Sequence, residues 1–285
     1  MSLNQPRLKD MDAGGVSLQI LSHGPLDATL EACRLANDEL AEACKARPSR
    51  LAGFAMLPMT HPEEAADELE RCVKEHKFPG ALINNHLTDG AFYDDPKFWP
   101  VFARAEKLDV PIYFHPTFAA DEWMPKYKGN YSNQAAVSMS IAGWGWHSET
   151  ALHMLKLWAS GLFDKHPKLK VIIGHMGEML PFQLDRIFPM SKRWAPDMKR
   201  DLKTVWDENF WITTSGMFSL APLACLIKMV RMERILYSVD YPFAENETGL
   251  KFIEEVEKSK MVSEQDLEAI CYKNAEKLLG VKVQQ

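Results

Sequence analysis

The sequence has 285 residues, 46% of them hydrophobic and 25% charged, enough to bury a large core. A formal net charge of −6 leaves no surplus of basic side chains to neutralise phosphates, which excludes nucleic acid and anionic membrane surfaces as expected partners. No apolar run approaches the ~18 residues of a membrane-spanning helix, and the first residues lack the basic-then-apolar pattern of a secretion leader.

In chain order, VSLQILS (Val16–Ser22) predicts a first strand, and LDATLEACRLANDELAEACKAR (Leu26–Arg47) has the three-and-four apolar spacing of a helix. LAGFAML (Leu51–Leu57) predicts the next strand. HPEEAADELERCVKEH (His61–His76), with proline in its first turn and acids after it, predicts the next helix. Strands GALIN (Gly80–Asn84) and VPIYFH (Val110–His115) flank a helix over Pro96–Leu108. A long helical pattern over Ala135–Phe163 leads to the strand LKVIIGH (Leu169–His175), and Leu180–Arg193 leads to FWITTS (Phe210–Ser215). Ala221–Val230 precedes ILYSVD (Ile235–Asp240), and helices over Gly249–Lys258 and Ser263–Leu279 follow. The five cysteines (Cys33, Cys44, Cys72, Cys225, Cys271) fall mostly on helices without a CxxC pair, the pattern of reduced thiols in a cytoplasmic protein.

Short, continuously apolar strands alternating with helices imply a parallel sheet covered by helices. No low-complexity linker interrupts the pattern, so a single domain over residues 1–285 is expected. A doubly wound sheet usually announces itself with a glycine-rich turn after its first strand, and no GxGxxG occurs. A barrel instead collects its chemistry at the C-terminal ends of many strands. Here His23, His86, His115, His175 and Asp240 stand at or just past the ends of five runs. The expected fold is α/β, a (β/α)8 TIM-barrel-like architecture, although only seven strands can be counted.

Four motifs in order, PIYFHP (Pro111–Pro116), HPKLKVIIGHMGEMLPFQLDRI (His166–Ile187), FWITTSG (Phe210–Gly216) and ILYSVDYPF (Ile235–Phe243), resemble the amidohydrolase superfamily. Within it the closest likeness is to the metal-dependent, non-oxidative aromatic decarboxylases, such as those acting on resorcylate, dihydroxybenzoate or aminocarboxymuconate semialdehyde. That resemblance implies release of carbon dioxide from a hydroxylated aromatic carboxylic acid. It also implies a divalent metal (Zn or Mn) and a homo-oligomer, a dimer or tetramer. In the family a further first strand carries a Glu-x-His or His-x-His pair of ligands. This sequence has no HxH, and Glu75 and His76 are adjacent on a helix, so the expectation is a barrel without its first strand and a metal site short of two ligands.

Carried onto this chain, the resemblance makes His115 and Asp240 metal ligands, with His175 beside them as a ligand or as a base-like partner of the aspartate. Glu178 would orient His175 through a hydrogen bond, and Arg186 would return toward the site to bind a carboxylate in fork geometry. Asp240, assisted by His175 and Glu178, would move a proton to the ring carbon that bears the carboxylate. His23 and His86 are candidate substrate contacts. His61, His76, His153 and His166 read as surface or structural residues, and the loop AGWGWHSE (Ala142–Glu149) reads as packing or subunit contact that could also line a pocket. A metal-assisted hydrolase or lactonase of the same superfamily, and a non-catalytic truncated barrel, stay open as alternatives. Two strand edges left by an absent strand would be closed by distortion, by the polar N-terminal residues, or by another subunit. The third is the expectation.

Overall fold

A computed structural model describes residues 5–24 and 27–283. Helix α1 (Gln5–Ala13) precedes β1 (Gln19–Leu21), and strands then alternate with helices: α2 (Leu30–Ala46), β2 (Leu51–Gly53), α3 (Pro62–Glu75), β3 (Ala81–Asn84), α4 (Trp99–Leu108) and β4 (Pro111–His115). Helices α5 (Asn133–Ser140), α6 (Gly145–Ala159) and α7 (Leu162–Lys165) lead to β5 (Lys170–Ile173). The one-turn α8 (His175–Glu178), α9 (Leu180–Trp194) and α10 (Leu202–Asn209) lead to β6 (Phe210–Thr213). After α11 (Leu220–Met229) and β7 (Ile235–Leu236) come α12 (Asn246–Ser259), α13 (Glu264–Glu268), a π-helical turn (Ala269–Lys273) and α14 (Asn274–Leu279).

All pairings are parallel and in chain order. β1 pairs with β2, β3 to β7 form one ladder, and an Ala55–Ala81 bridge joins the two groups. This is the wall of a (β/α)8 barrel with seven strands among the described residues. Each expected strand is present but shorter, and five of the seven stop short of the expected C-terminal end, β3 and β4 being the exceptions. Ile235–Asp240, for example, pairs only through Leu236, because the chain leaves the ladder to bend over the mouth and Asp240 turns to φ 70°. Alternation along the strands separates two cores. Ile112, Phe114, Val171, Ile173 and Ile212 face the helices, whereas Leu82, Tyr113, Ile172, Trp211 and Leu236 face inward.

The inner core contains an unforeseen contributor. Leu278, with Ala275 and Leu279, packs from α14 against Ile20, Phe54, Leu82, Ile172 and Leu236. The same segment closes the outer edge of β7: Tyr237 N–H donates to Ile270 O at 2.9 Å, and Asn274 Nδ2 donates to Ile235 O at 2.8 Å. A π-turn leaves carbonyls out of the ordinary helical ladder, which makes Ile270 O available. The edge of β7 is therefore covered from within the chain, a solution absent from the three expected ones. At the other edge α1 lies beside β1, with Arg7 Nη1 donating to Gln19 Oε1 at 2.7 Å and Met11 fully buried. The polar composition of Asn4–Gly15 hid this helix, whose one buried methionine anchors it.

The expected helix over Ala135–Phe163 is broken between Ser140 and Gly145. A Cβ on Gly145 would lie 2.3 Å from Ser140 O, so the tight approach requires glycine. The break starts α6 at Gly145 and so brings Trp146 and His147 to the mouth of the barrel. Between α2 and α3, the fully buried Glu68 accepts from Asn37 Nδ2 at 2.8 Å and from Arg71 Nη2 at 2.8 Å. Burial opposes its ionisation, but Arg71 and Asn37 outweigh that and hold the carboxyl below its usual range. A depressed folded pKa contributes stability above the unfolded value of about 4.3 that is lost as pH falls through the folded value. Urea melts from pH 6 to 3 are expected to show this slope in the wild type and a flatter one in Glu68→Gln. No helix among the described residues is long and apolar enough to cross a membrane.

Candidate active site

The turn GHMGE after β5 has a run of left-handed residues: His175 at φ 47°, Met176 at 55°, Gly177 at 90°, Glu178 at 53° and Met179 at 68°. Only Gly177 adopts such angles freely, so the turn is strained and must be held by its surroundings. The hold is visible in the side chains. His175 Nδ1–H donates to Glu178 Oε1 at 2.6 Å, and His147 Nδ1–H donates to Glu178 Oε2 at 2.7 Å. The second ring nitrogen of His147 lies 3.1 Å from Ala142 O. Glu178 is fully buried, and its carboxylate is clamped between two imidazoles whose rings meet edge to face at 4.9 Å.

On its other side His175 faces the mouth, where Nε2 lies 3.9 Å from Asp240 Oδ2. Burial disfavours a charged ring, but Glu178 and Asp240 outweigh it and push His175 up to about 10. Burial likewise disfavours a charged Glu178, but His175 and His147 hold its carboxyl low. His115 behaves in the opposite way: burial, then the nearby His175, pushes its pKa down and keeps the ring neutral. Its Nδ1–H donates to Pro116 O at 2.7 Å, which fixes the tautomer and leaves the Nε2 lone pair for another partner. The His115 and His175 rings are 6.3 Å apart. Below them Tyr113 OH, Thr213 Oγ1 and Ser215 Oγ form a hydrogen-bonded row at 2.9 and 3.1 Å. Tyr113, pushed up to about 12 by burial, stays a neutral phenol.

The structure thus brings His115, His175, Glu178 and Asp240 to one end of the barrel. It does not bring Arg186, which is exposed on α9; the buried positions of that helix are Leu180, Pro181, Leu184 and Ser191, and two residues past Leu184 the helix faces away. His23 Nε2 is bonded to Ala36 O of α2 at 2.9 Å, and so ties the end of β1 to a helix. His86 is 1% exposed, with Nδ1–H donating to Leu87 O at 2.7 Å and its ring against Trp123 and Phe92. His166, expected on the surface, is buried and bonded to Glu106 at 2.9 Å. His147 was expected only as part of a loop that packs or lines a pocket; its bond to Glu178 was missed, because that partner lies 31 residues away.

Two groups could hold a divalent ion. His147, His175 and Glu178 have donor atoms within 4.8 Å of one another. There, however, each oxygen of the carboxylate already accepts an imidazole N–H, so an ion would compete with both rings. His115 Nε2 keeps its lone pair, and the partly exposed Asp240 carboxylate faces only His175 Nε2, at 3.9 Å. One imidazole nitrogen and one carboxylate oxygen, with room for oxygen donors from solvent or substrate, suit zinc or manganese. The residues present fit such an ion.

Similarity to characterised proteins agrees with this geometry. A family model described as amidohydrolase matches residues 2–281. The chain is 49% identical to the decarboxylase orsB of Emericella nidulans over 98% of this chain and 86% of that one. It is 39% identical to a gamma-resorcylate decarboxylase of a Rhizobium species, over 85% of this chain and 78% of that one. The crystal structure of a dihydroxybenzoic acid decarboxylase from a Polaromonas species, with bound manganese and the inhibitor 2-nitroresorcinol, superposes with a TM-score of 0.87 at 36% identity, over 98% of this chain and 86% of that one. With the seven-stranded parallel wall and the His115, His175 and Asp240 constellation at its mouth, these matches place the chain in the amidohydrolase family.

Proposed function

We propose that the chain is a non-oxidative decarboxylase, a carboxy-lyase that releases carbon dioxide from a hydroxylated aromatic carboxylic acid. The observation that carries this is the graded pair at the mouth: a half-exposed Asp240 carboxylate, 3.9 Å from a His175 that is buried and held in its charged form. Such a pair can carry a proton to a substrate atom outside the wall. His115 and Asp240 would hold the divalent ion, which when bound supplies neutralisation and orientation of the substrate carboxylate and the adjacent ring oxygen. Zinc and manganese both suit these donors. His175 passes its proton through Asp240 to the ring carbon bearing the carboxylate. The carbon–carboxyl bond then breaks, its electron pair restores the aromatic ring, carbon dioxide leaves, and the proton remains on the product arene. Glu178 and His147 keep His175 oriented through the cycle, and His175 regains its proton from solvent.

Incubation with 13C-carboxyl-labelled 2,4- and 2,6-dihydroxybenzoate is expected to yield labelled carbon dioxide and resorcinol. Acid production from ester or lactone substrates instead would point to a hydrolase, and silence on all of them to a binding or assembly role. Stripping with a chelator is expected to abolish turnover and added manganese or zinc to restore it; unchanged activity in a protein shown by elemental analysis to be metal-free would contradict the ion's role. We also infer self-association, supported by exposed apolar side chains such as Phe182, 81% exposed on α9. Light scattering is expected to report a dimer or tetramer, and a stable monomer would count against it.

A further inference from the structure

One polar atom beside the site has no partner that the protein can supply. The indole Nε1–H of Trp146 is shielded from solvent and makes no hydrogen bond among the described residues, whereas native proteins pair nearly all buried donors. The indole lies 6.4 Å from the His115 ring and meets Phe118 edge-on at 5.8 Å. The indole therefore neighbours both an exposed side chain, Phe118 at 70%, and the His115 ring.

The backbone that carries the indole is held in place. Trp146 N–H is bonded to Ile141 O, its carbonyl accepts from Thr150 Oγ1 at 2.8 Å, and the next residue, His147, is pinned to Glu178. An indole N–H only donates, so its missing partner is an acceptor. The His115 imidazole gives its Nδ1 proton to Pro116 O, and no hydrogen bond joins its other nitrogen to the indole. An aromatic acid whose carboxylate sits at the His115 end would extend its ring, and the substituents on it, toward the indole.

We propose that Trp146 Nε1–H donates a hydrogen bond to the second ring oxygen of the substrate, the one not held together with the carboxylate at the His115 end, and thereby selects dihydroxylated over monohydroxylated aromatic acids. The inference rests on the reading of the site as one for an aromatic carboxylic acid. A buried donor discriminates strongly because the analogue lacking its acceptor leaves it unpaired.

The test compares wild type with Trp146→Phe, which removes the donor and keeps most of the apolar ring. Carbon dioxide release is measured from 2-hydroxybenzoate and from whichever of 2,4- or 2,6-dihydroxybenzoate the wild type prefers. The expected result is a loss in kcat/KM of about 10- to 100-fold, or about 1.4–2.8 kcal/mol, on the dihydroxy acid, mostly in KM, with a loss under about threefold on 2-hydroxybenzoate. Equal losses on both acids, or none on either, would overturn it. A second measurement uses the wild-type chain alone and does not depend on turnover. With 15N-labelled indoles, one of the eight tryptophan N–H signals is expected to move downfield on titration with resorcinol and to stay in place with phenol. No shift, or the same shift with both, would also overturn the inference. Absence of carbon dioxide from every acid would reject the decarboxylase reading and leave this measurement to judge Trp146 by itself.

Discussion

Asp240→Asn is expected to lower carbon dioxide release by about 10³-fold, in line with the loss of a positioned acid–base group, while the melting temperature moves by no more than a few degrees. The asparagine keeps the shape but can neither carry the proton nor offer the anionic oxygen that faces His175 Nε2 at 3.9 Å. The choice of replacement matters because Asp240 sits at φ 70°. Asparagine tolerates the left-handed region nearly as well as aspartate, whereas alanine would add backbone strain and confuse lost chemistry with lost structure. Removing the carboxylate also removes one of the influences that hold His175 charged, so the imidazole pKa should fall in the variant. Turnover within about tenfold of wild type by a folded Asp240→Asn protein would assign the proton to another group and return Asp240 to a purely structural role.

The contrast between residues that the sequence revealed and those it hid has a common physical origin. His115, His175 and Asp240 were legible because each ends a largely apolar run, and in a parallel barrel the ends of such runs share one rim. Glu178 was legible because its partner is three residues away. His147 was not, because its hydrogen bond to Glu178 depends on the break before α6 that Gly145 permits. His23 and His86 also lie at the rim, but rim position does not fix direction: one ring turns to the Ala36 carbonyl, the other into an aromatic cluster with Trp123 and Phe92. That Arg186 points away from its own chain's mouth could have been read from the sequence alone. Leu180 and Leu184 define the inner face of α9, and a residue two positions on points to the opposite side. The role of α14 was out of reach, since a C-terminal amphipathic pattern does not announce which core it enters.

That last feature leads to the largest expected effect on stability. Deleting the residues from Asn274 onward should leave a chain without a cooperative melt, because it uncovers the inner face of the wall and one edge of β7 together. The parts can be weighed separately. Leu278→Ala removes a side chain that packs against Ile20, Phe54, Leu82, Ile172 and Leu236, and should cost about 2–4 kcal/mol. For a chain of this size that lowers the melting temperature by roughly 3–7 °C. Asn274→Ala leaves the carbonyls of Met232 and Ile235 without the donor that now bridges them at 2.9 and 2.8 Å, at about 1–3 kcal/mol. The two sites lie on the same short helix, so the double variant should depart from additivity. If instead both single variants melted like wild type, α14 would not be what closes the wall. The edge of β7 would then need a cover from outside the chain, and the same variants would have to melt at temperatures that rise with protein concentration, as expected of a fold completed by its own oligomer.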